Sequence, residues 1–294
     1  MLHNALKGIA FMVAAMICLP IKDGIVKILG GTGYPPMEIL WAQFTIVYLI
    51  LAPIVIWRYG AAKLWPRPLG VQLLRGIFTI LGIGLFYWAV QYIPLATTTA
   101  VYFLAPLVVT ALSPMILKEP VDLRRWIAVV AGFLGVFLIL RPELLAVNQG
   151  YLIAFIGSFA IAGFYMYNRK LATGDPIIVM VAHSVLMGVI LLSLAMPFVW
   201  VQPQWADAPL ILGFIGFSLA GQLLQMTAFK NAPASVVSPF QYTAILSATA
   251  FGFVYLGEFP DALTWLGIAV VIGSGLYNAL REGRVKKTVR RPAP

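Results

Sequence analysis

The sequence predicts an all-α integral membrane protein with ten transmembrane helices, arranged as a 5+5 inverted-topology repeat. Three observations support this fold class: the composition, a series of long apolar runs, and a match between the two halves of the chain. Of the 294 residues, 61% are hydrophobic and only 10% are charged. A soluble domain carries about 25% charged residues, so this chain lacks the polar surface that a water-soluble fold needs.

Apolar runs of about 20 residues, the length that crosses a bilayer, recur along the whole chain. They lie at roughly 6–29, 37–57, 70–91, 96–117, 123–140, 149–168, 176–200, 208–229, 235–257 and 262–281. The first run follows Lys7 but has no small-x-small cleavage site at its end, so we interpret it as a retained helix rather than a signal peptide. Cys18 is the single cysteine, which excludes a disulfide within the chain and a thiolate metal cage.

Basic residues predict the orientation in the membrane. Of the 20 Lys and Arg residues, 16 fall at the N-terminus, in every second connection, or in the C-terminal tail. Cytoplasmic loops carry such an excess of basic residues, so both termini are predicted to be cytoplasmic. The net charge of +10 therefore indicates membrane orientation and headgroup contact rather than nucleic-acid binding.

The two halves match when the chain is shifted against itself by 139 residues. Acidic, proline and tryptophan residues then align without a gap, as the pairs Pro94 and Pro233, Glu119 and Glu258, Asp122 and Asp261, and Trp126 and Trp265. With five helices in each copy, the second copy enters the membrane the other way up. The predicted units are a first repeat at 1–143, an inverted second repeat at 144–281, and a basic cytoplasmic tail at 282–294. Inverted repeats are typical of secondary transporters, with the substrate site at the repeat interface.

The ten-helix plan and the stretch from Pro94-Leu95-Ala96-Thr97-Thr98-Thr99-Ala100 through Glu119 to Trp126 resemble the EamA type of the drug/metabolite transporter superfamily. This resemblance covers essentially the whole chain. It implies a secondary transporter of a bacterial inner membrane, similar to the bacterial exporters of amino acids, including aromatic ones, and of related small metabolites. Export of drugs or organic cations and import of a nucleoside-like metabolite remain alternatives.

No pattern for bond-making chemistry is found. Gly82-Ile83-Gly84 lacks the third glycine and the strand context of a dinucleotide loop, and no phosphate loop or metal-ligand spacing is present. We therefore expect no enzyme activity, catalytic residue, cofactor or metal. The expected partners are a small-molecule substrate and the lipid bilayer. A non-transporting membrane enzyme or scaffold is the alternative from another class.

Ionisable residues inside the bilayer are costly and so are candidates for coupling transport to an ion. They are Asp23, Lys22 and Lys27 in the first helix and His183 in the seventh. Asp23 and Lys27 stand four residues apart, close enough to pair on one helix face. The alternative interpretations are an interfacial pair and a hydrogen-bonded structural histidine.

Polar and aromatic residues predict the substrate path. Ser218, Gln222 and Gln225 form a polar stripe on an apolar helix, which faces either a path or a neighbouring helix. Thr99 and Tyr102 map onto Ser238 and Gln241 under the 139-residue shift. The full set of candidates is Tyr87, Trp88, Thr98, Thr99, Tyr102, Tyr165, Asn168, Ser218, Gln222, Gln225, Ser238, Gln241 and Tyr242. Their aromatic rings could stack on a planar or cationic substrate.

Overall fold

The computed structural model describes residues 2–289, except 67, 117, 119–120, 142–147 and 171–175. The described part contains helices and connections and no strand. The α-helices are α1 Leu2–Gly31, α2 Pro36–Tyr59, α3 Leu69–Ala89, α4 Leu95–Tyr102, α5 Ala105–Ile116, α6 Leu123–Leu140, α7 Gln149–Lys170, α8 Ile177–Ser193, α9 Met196–Val199, α10 Ala208–Asn231, α11 Ala234–Val237, α12 Thr243–Leu256 and α13 Ala262–Val289. Short 3₁₀ turns lie at Ala61–Leu64, Trp205–Asp207 and Ser238–Tyr242.

Eight helical stretches in the described residues are long and apolar enough to cross a membrane. This agrees with an integral membrane protein, since a helix satisfies all of its own backbone groups in lipid. The other two predicted spans, 176–200 and 235–257, fall on interrupted helices: α8 followed by α9, and α11 followed by a 3₁₀ turn and α12. The count of ten spans therefore stays a prediction.

Two interruptions occur at matching positions of the chain. Between α4 and α5 the helix opens into a turn at Phe103 and Leu104. Between α11 and α12 the chain forms the 3₁₀ turn Ser238–Tyr242. The 139-residue shift aligns Phe103 with Tyr242, so the two interruptions occupy matching positions. Leu104 is fully buried, so the irregular backbone is shielded from lipid by protein. Non-helical backbone at membrane depth is tolerated under that condition.

Helix boundaries follow the same 139-residue shift. The last residue of α1 is 31 and that of α7 is 170; α3 begins at 69 and α10 at 208; α6 begins at 123 and α13 at 262. Asp122 accepts a hydrogen bond from the Arg125 backbone N–H at 2.9 Å, and Asp261 accepts one from Thr264 at 2.8 Å. The aligned aspartates therefore cap the N-termini of equivalent helices.

Packing between the halves is interleaved. α1 packs along α10, and the equivalent pair α3 and α7 packs in the same way. α6 packs against α13, where a Cβ atom at Gly135 would lie 3.0 Å from the Gly267 carbonyl oxygen. Helices of each half thus pack against helices of the other half, and polar residues at this interface are buried between them.

Asp261 generates a prediction about stability and pH. Its carboxylate accepts hydrogen bonds from the Arg141 guanidinium at 2.5 and 2.6 Å, and this contact lowers the pKa of Asp261 to about 2. Because the folded pKa lies below the ordinary value of 3.8, the charged carboxylate stabilises the fold above about pH 4 and that stabilisation is lost as the pH falls toward 2. Asp261→Asn keeps a capping side chain but removes the charge, whereas Asp261→Ala also removes the cap, which is worth about 1 kcal/mol.

Thermal unfolding in detergent should therefore rank wild type above Asp261→Asn and Asp261→Asn above Asp261→Ala at neutral pH. The gap between wild type and Asp261→Asn should close as the pH falls from about 4 toward 2. A gap that stays constant over that range would contradict an ionic origin.

Candidate functional site

A lysine and an aspartate from the same turn of α1 form a buried ion pair. Lys22 Nζ contacts the Asp23 carboxylate, and the two side chains are 9% and 17% exposed. Lys22 Nζ also donates a hydrogen bond to the Tyr87 hydroxyl of α3 at 2.9 Å and lies 4.8 Å from the centre of the Tyr87 ring. The lysine charge is therefore neutralised, hydrogen-bonded and stacked on an aromatic face.

Tyr87 extends this pair into a network between three helices. Its side chain is fully buried, and its hydroxyl donates a hydrogen bond to Gln43 Oε1 of α2 at 2.5 Å. Gln43 itself is 8% exposed. The chain of contacts from Asp23 through Lys22 and Tyr87 to Gln43 fixes α1, α2 and α3 relative to one another. We call these four residues the polar centre.

A small cavity, with room for about one water molecule, borders the polar centre at Gln43. Its lining includes Gln43 from α2 and Phe214 and Ser218 from α10. Ser218 is 4% exposed, and its hydroxyl has no hydrogen-bond partner among the described residues. Metabolite sites usually enclose about 300–1,000 Å³, so this cavity is too small to hold a metabolite in the present conformation.

Aromatic rings surround the polar centre. The Tyr87 ring lies 6.5 Å from Phe214 and 6.4 Å from Phe86, and Phe86 lies 4.9 Å from Tyr102 in an edge-to-face contact. Tyr102 donates a hydrogen bond to the Gly82 carbonyl at 2.9 Å. A planar apolar ring entering here would meet rings on several sides.

The two helix interruptions meet each other. Phe103 and Tyr242 stack with their ring centres 4.5 Å apart and their planes 29° apart. The two positions are equivalent under the 139-residue shift. Contact between equivalent residues occurs where the axis relating two repeats passes through the molecule. The stack therefore joins the interrupted helices at the interface of the halves.

One end of the bundle, which carries Tyr34 between α1 and α2 and is called here the Tyr34 end, is closed by polar contacts. Lys27 Nζ lies 2.5 Å from Glu258 Oε1 and donates to the Ile93 carbonyl at 2.8 Å. Glu258 Oε2 in turn accepts from the Leu95 backbone N–H at 3.2 Å, at the start of α4. A carboxylate at a helix N-terminus is favourable, so Glu258 ties α1 and α4 to the connection before α13.

A second set of contacts closes the same end. The Tyr34 hydroxyl donates to Asp207 Oδ2 at 2.7 Å and accepts from the Gln204 backbone N–H at 3.0 Å. Glu38, which is 4% exposed, accepts from the Val201 N–H at 3.0 Å. These bonds connect the beginning of α2 with the segment that leads into α10.

The opposite end, which carries Lys63 and is called here the Lys63 end, is closed mainly by direct helix packing. A Cβ atom at Gly76 of α3 would lie 2.5 Å from Met187 Cβ of α8. Arg75 is 3% exposed and donates to Gln72 Oε1 at 3.0 Å and to the Met180 carbonyl at 3.3 Å. The ring nitrogen Nε2 of His183 lies 2.8 Å from the Lys63 carbonyl oxygen.

The helices pack differently at the two ends of the bundle, although the sequences of the two halves align. α3 and α8 pack closely together, whereas the equivalent helices α10 and α2 are separated by the cavity next to Gln43. Ile215, which is equivalent to Gly76, lines that cavity. The two helix pairs that the 139-residue shift relates therefore pack differently in this structure.

The structure brings some of the sequence candidates together. Lys22, Asp23 and Tyr87 form one centre, and Ser218 borders the cavity beside it. Tyr102 belongs to the surrounding aromatic contacts, whereas Tyr242 stacks on Phe103 where the two helix interruptions meet. The expected ion pair between Asp23 and Lys27 is wrong. The Asp23 carboxylate pairs with its neighbour Lys22, and Lys27 pairs with Glu258, which comes from the connection before α13.

Other candidates lie apart from the centre. Thr98 and Thr99 donate to carbonyls one turn back in α4, Trp88 and Tyr165 are 39% and 49% exposed, and Gln222 is also exposed. Gln225, Ser238 and Gln241 are half-buried. The Asn168 side chain lies outside the described residues. His183 sits at the Lys63 end with a carbonyl partner, which fits the structural interpretation.

Sequence reasoning missed Gln43, Glu258 and the pair Gln72 and Arg75. Gln43 is a polar residue within the apolar run 37–57, which was a usable signal. Arg75 was visible as a charge inside the third run. Glu258 was visible only as a loop residue, and nothing local indicates that it reaches α1 and α4.

Comparison with known proteins gives a consistent assignment. The sequence matches the EamA-like transporter family twice, over residues 6–141 and 148–278. The S-adenosylmethionine uptake transporter of Rickettsia prowazekii (strain Madrid E) is 26% identical over 279 residues, covering 94% of this chain and 93% of that protein. The riboflavin transporter of Vibrio cholerae serotype O1 is 28% identical over 294 residues, covering 98% of this chain and 97% of that protein.

A solved crystal structure has the same fold. It superposes with a TM-score of 0.62 at 19% sequence identity, over 96% of this chain and 99% of that chain.

The polar centre generates a prediction about stability. Removing one partner of a buried ion pair leaves an uncompensated charge and costs about 3–5 kcal/mol, whereas removing both costs much less. Lys22→Met and Asp23→Asn should each lower the thermal stability of the purified protein strongly, and the double variant should be more stable than either single variant.

Thermal unfolding in detergent measures this order. Lys27→Met, at the more exposed pair with Glu258, is the matched comparison and should cost less. Additive losses from the Lys22 and Asp23 substitutions would contradict a coupled pair.

Proposed function

Since the chain belongs to the EamA-like transporter family of the drug/metabolite transporter superfamily, we propose that it is a secondary transporter for the uptake of a small metabolite with a planar heteroaromatic ring. Its family assigns it to transport rather than to enzyme catalysis, and places it in a multi-pass membrane setting. The single observation that supports the substrate class best is the ring of aromatic side chains around a buried polar centre.

The chemistry of the relatives' named compounds fits this substrate class. S-adenosylmethionine and riboflavin both combine a planar heteroaromatic ring system with a ribose-derived group, a closed ribose ring in the first and an open ribityl chain in the second. The rings of Tyr87, Phe214 and Tyr102 can stack on a planar substrate ring, and the Gln43 amide can form hydrogen bonds with the polar edge of a heterocycle. The word uptake in one relative's name favours import. Export of amino acids, which the sequence resemblance implied, is the second candidate.

Alternating access between two inverted five-helix repeats is the proposed mechanism. The matching helix boundaries, the paired aspartate caps and the stack of Phe103 on Tyr242 support the inverted repeat. The unequal packing of α3 with α8 and of α10 with α2 supports two interchangeable arrangements. Exchange of these arrangements between the halves would close one end and open the other around a fixed centre.

The positive-inside pattern places the Lys63 end and both termini in the cytoplasm of a bacterial inner membrane in this proposal. In that orientation the Lys27–Glu258 contact closes the outer end of the path. A reporter fused after Pro294 that is active only on the periplasmic side would contradict the orientation.

Flux into proteoliposomes tests the function. The purified chain is reconstituted, and uptake of labelled S-adenosylmethionine, riboflavin, adenosine, L-tryptophan, L-leucine and L-threonine is compared with uptake by empty liposomes. Saturable uptake of a ring-bearing compound is expected. Saturable flux of aliphatic amino acids alone would favour the second candidate, and no flux of any compound would count against transport.

The polar residues on α10 and beside α12 generate a prediction about the path. Gln222, Gln225 and Gln241 are exposed or half-buried, as residues bordering a path would be. If they line it, Gln→Leu substitutions should reduce flux at least tenfold, about 1.4 kcal/mol, with the thermal stability unchanged. Normal flux combined with lower stability would identify them as helix-packing residues instead.

A further prediction concerns the driving force. Asp23 is the carboxylate in the polar centre, whereas His183 lies at the Lys63 end with a carbonyl partner. We expect that any acceleration of flux by an imposed pH gradient is lost in Asp23→Asn and kept in His183→Gln. Gradient-driven accumulation that survives in the double variant would exclude both residues as the proton carrier.

A further inference from the structure

A groove opens between α6 and α13 at the Lys63 end of the bundle. Its volume is about 310 Å³, within the range of ligand sites. Ile127 and Tyr277 in its walls are 61% and 43% exposed, so the groove faces the surroundings of the bundle and not the polar centre. The lining residues are Arg124, Ile127, Ala128, Ala131, Val270, Gly273, Ser274 and Tyr277.

The groove changes from polar to apolar along its length. Arg124 and Tyr277 lie nearest the Lys63 end, where α6 begins and α13 approaches its own end. Ala131 and Val270 lie about 10 Å further in, at 1.5 Å per helical residue. Ser274 donates its hydroxyl hydrogen to the Val271 carbonyl at 2.9 Å, so its polar group is used within its own helix. A charged entrance above an apolar floor matches the order of headgroup and acyl chain in a phospholipid.

We infer that this groove is a binding site for an anionic phospholipid of the cytoplasmic leaflet, with the lipid phosphate beside Arg124 and an acyl chain against Gly273. Basic pockets between transmembrane helices on the cytoplasmic side bind anionic headgroups. The inference uses the membrane orientation of the proposed function and is independent of what the chain transports.

The other end of the same helix pair provides an internal comparison. Under the 139-residue shift, Arg124 corresponds to Leu263 and Tyr277 corresponds to Leu138, so the charged and polar positions become apolar there. Arg141, the basic residue at that end of α6, is bound to the Asp261 carboxylate at 2.5 and 2.6 Å. The groove therefore has its basic entrance at the Lys63 end, which the proposed orientation places at the negatively charged cytoplasmic surface.

A glycine forms the floor of the groove. A Cβ atom at Gly273 would meet no atom within 4 Å, whereas its counterpart Leu134 carries a full side chain that is 60% exposed. At the Leu134 end the helices touch, since a Cβ atom at Gly267 would lie 2.6 Å from the Gly135 carbonyl oxygen. Glycine is unfavourable inside a helix, and no described protein atom requires one at position 273. A lipid chain that lies directly on the helix backbone does require it.

The charges around the groove complement an anionic headgroup. α6 begins with Leu123-Arg124-Arg125, and Asp122 before it offsets one of the two positive charges. α13 continues past the groove to Val289, and the sequence of that stretch includes four basic residues and one acidic residue: Arg281, Glu282, Arg284, Lys286 and Lys287. Each Lys or Arg near an anionic membrane surface contributes about 1 kcal/mol, which is about fivefold in affinity.

Native mass spectrometry of the purified full-length chain tests the inference. The delipidated protein in neutral detergent is titrated with phosphatidylglycerol and with phosphatidylcholine of the same acyl chains. The first bound phosphatidylglycerol should bind at least about fivefold more tightly than the first phosphatidylcholine. Arg124→Leu, which introduces the residue type of its counterpart, should remove this preference. Gly273→Leu should weaken the first site for both lipids at least about fivefold, because the new side chain fills the groove.

Two matched variants control for charge and for folding. Arg58→Leu removes an exposed arginine in the last turn of α2, which does not line the groove, and should keep the preference for phosphatidylglycerol. Gly216→Leu replaces an exposed glycine of α10 whose Cβ atom would also meet no atom within 4 Å, and it should keep both lipid affinities. Both glycine variants should unfold at or above the temperature of the wild type, because leucine favours a helix more than glycine does.

Three results would overturn the lipid site. The first is equal affinity of the wild type for the two lipids. The second is a preference that survives Arg124→Leu or Gly273→Leu, or that Arg58→Leu reduces equally, since either would indicate diffuse attraction to the basic surface. The third is a dimer that Gly273→Leu dissociates, which would place a second copy of the chain in the groove. Lipid binding is measured without flux, so its failure leaves the proposed function intact, and a protein without flux can still show the lipid site.

Discussion

The cost of leaving a polar group unpaired in hydrocarbon determines how this protein is built. Backbone groups meet that constraint by forming helices, and side chains meet it by forming pairs between helices. Lys22 shows the constraint most clearly, since its ammonium has a carboxylate, a hydroxyl and a ring face as partners. These partners come from α1 and α3, and Gln43 of α2 completes the set. The polar centre can exist only if these three helices keep their relative positions.

The same constraint explains where the helices are interrupted. The turn at Phe103 and Leu104 and the 3₁₀ turn Ser238–Tyr242 lie between the halves, where protein rather than lipid surrounds them. Their aromatic side chains stack on each other at the interface. Interrupted helices at a repeat interface supply backbone and side-chain groups for a ligand, and they allow the parts on either side to move separately.

Local sequence features predicted the membrane class and the positions of the eight membrane-length helices in the described part of the chain, because each depends on composition or on spacing along the chain. The aspartate caps at 122 and 261 illustrate this, since a cap acts within one helical turn. Contacts between segments that are distant in the sequence were not predicted. Glu258 reaches Lys27 and the N-terminus of α4 across the interleaved packing of the halves, which no local pattern encodes.

For the candidate site, sequence reasoning found the costly charges and missed part of their surroundings. Lys22 and Asp23 were recognisable because charges in an apolar run are rare. Their pairing with each other, rather than of Asp23 with Lys27, depends on rotamers and on the approach of Tyr87. Trp88 and Tyr87 are neighbours in sequence, yet one is 39% exposed and the other fully buried, because consecutive helical residues face different directions. The helix face that turns inward was not readable from residue type alone.

Alternating exposure of the cavity beside the polar centre is the central claim, and thiol labelling tests it most directly. The chain has one cysteine, so Cys18→Ser gives a background in which Ser218→Cys places a single thiol at the cavity. Membrane-impermeant maleimide is applied to right-side-out and to inverted vesicles, with Gln204→Cys as a control that one side alone should label. Our account predicts that the thiol at 218 is labelled from both sides, and that a transported compound changes the two rates in opposite directions. Labelling of position 218 from only one side, with or without that compound, would contradict alternating access.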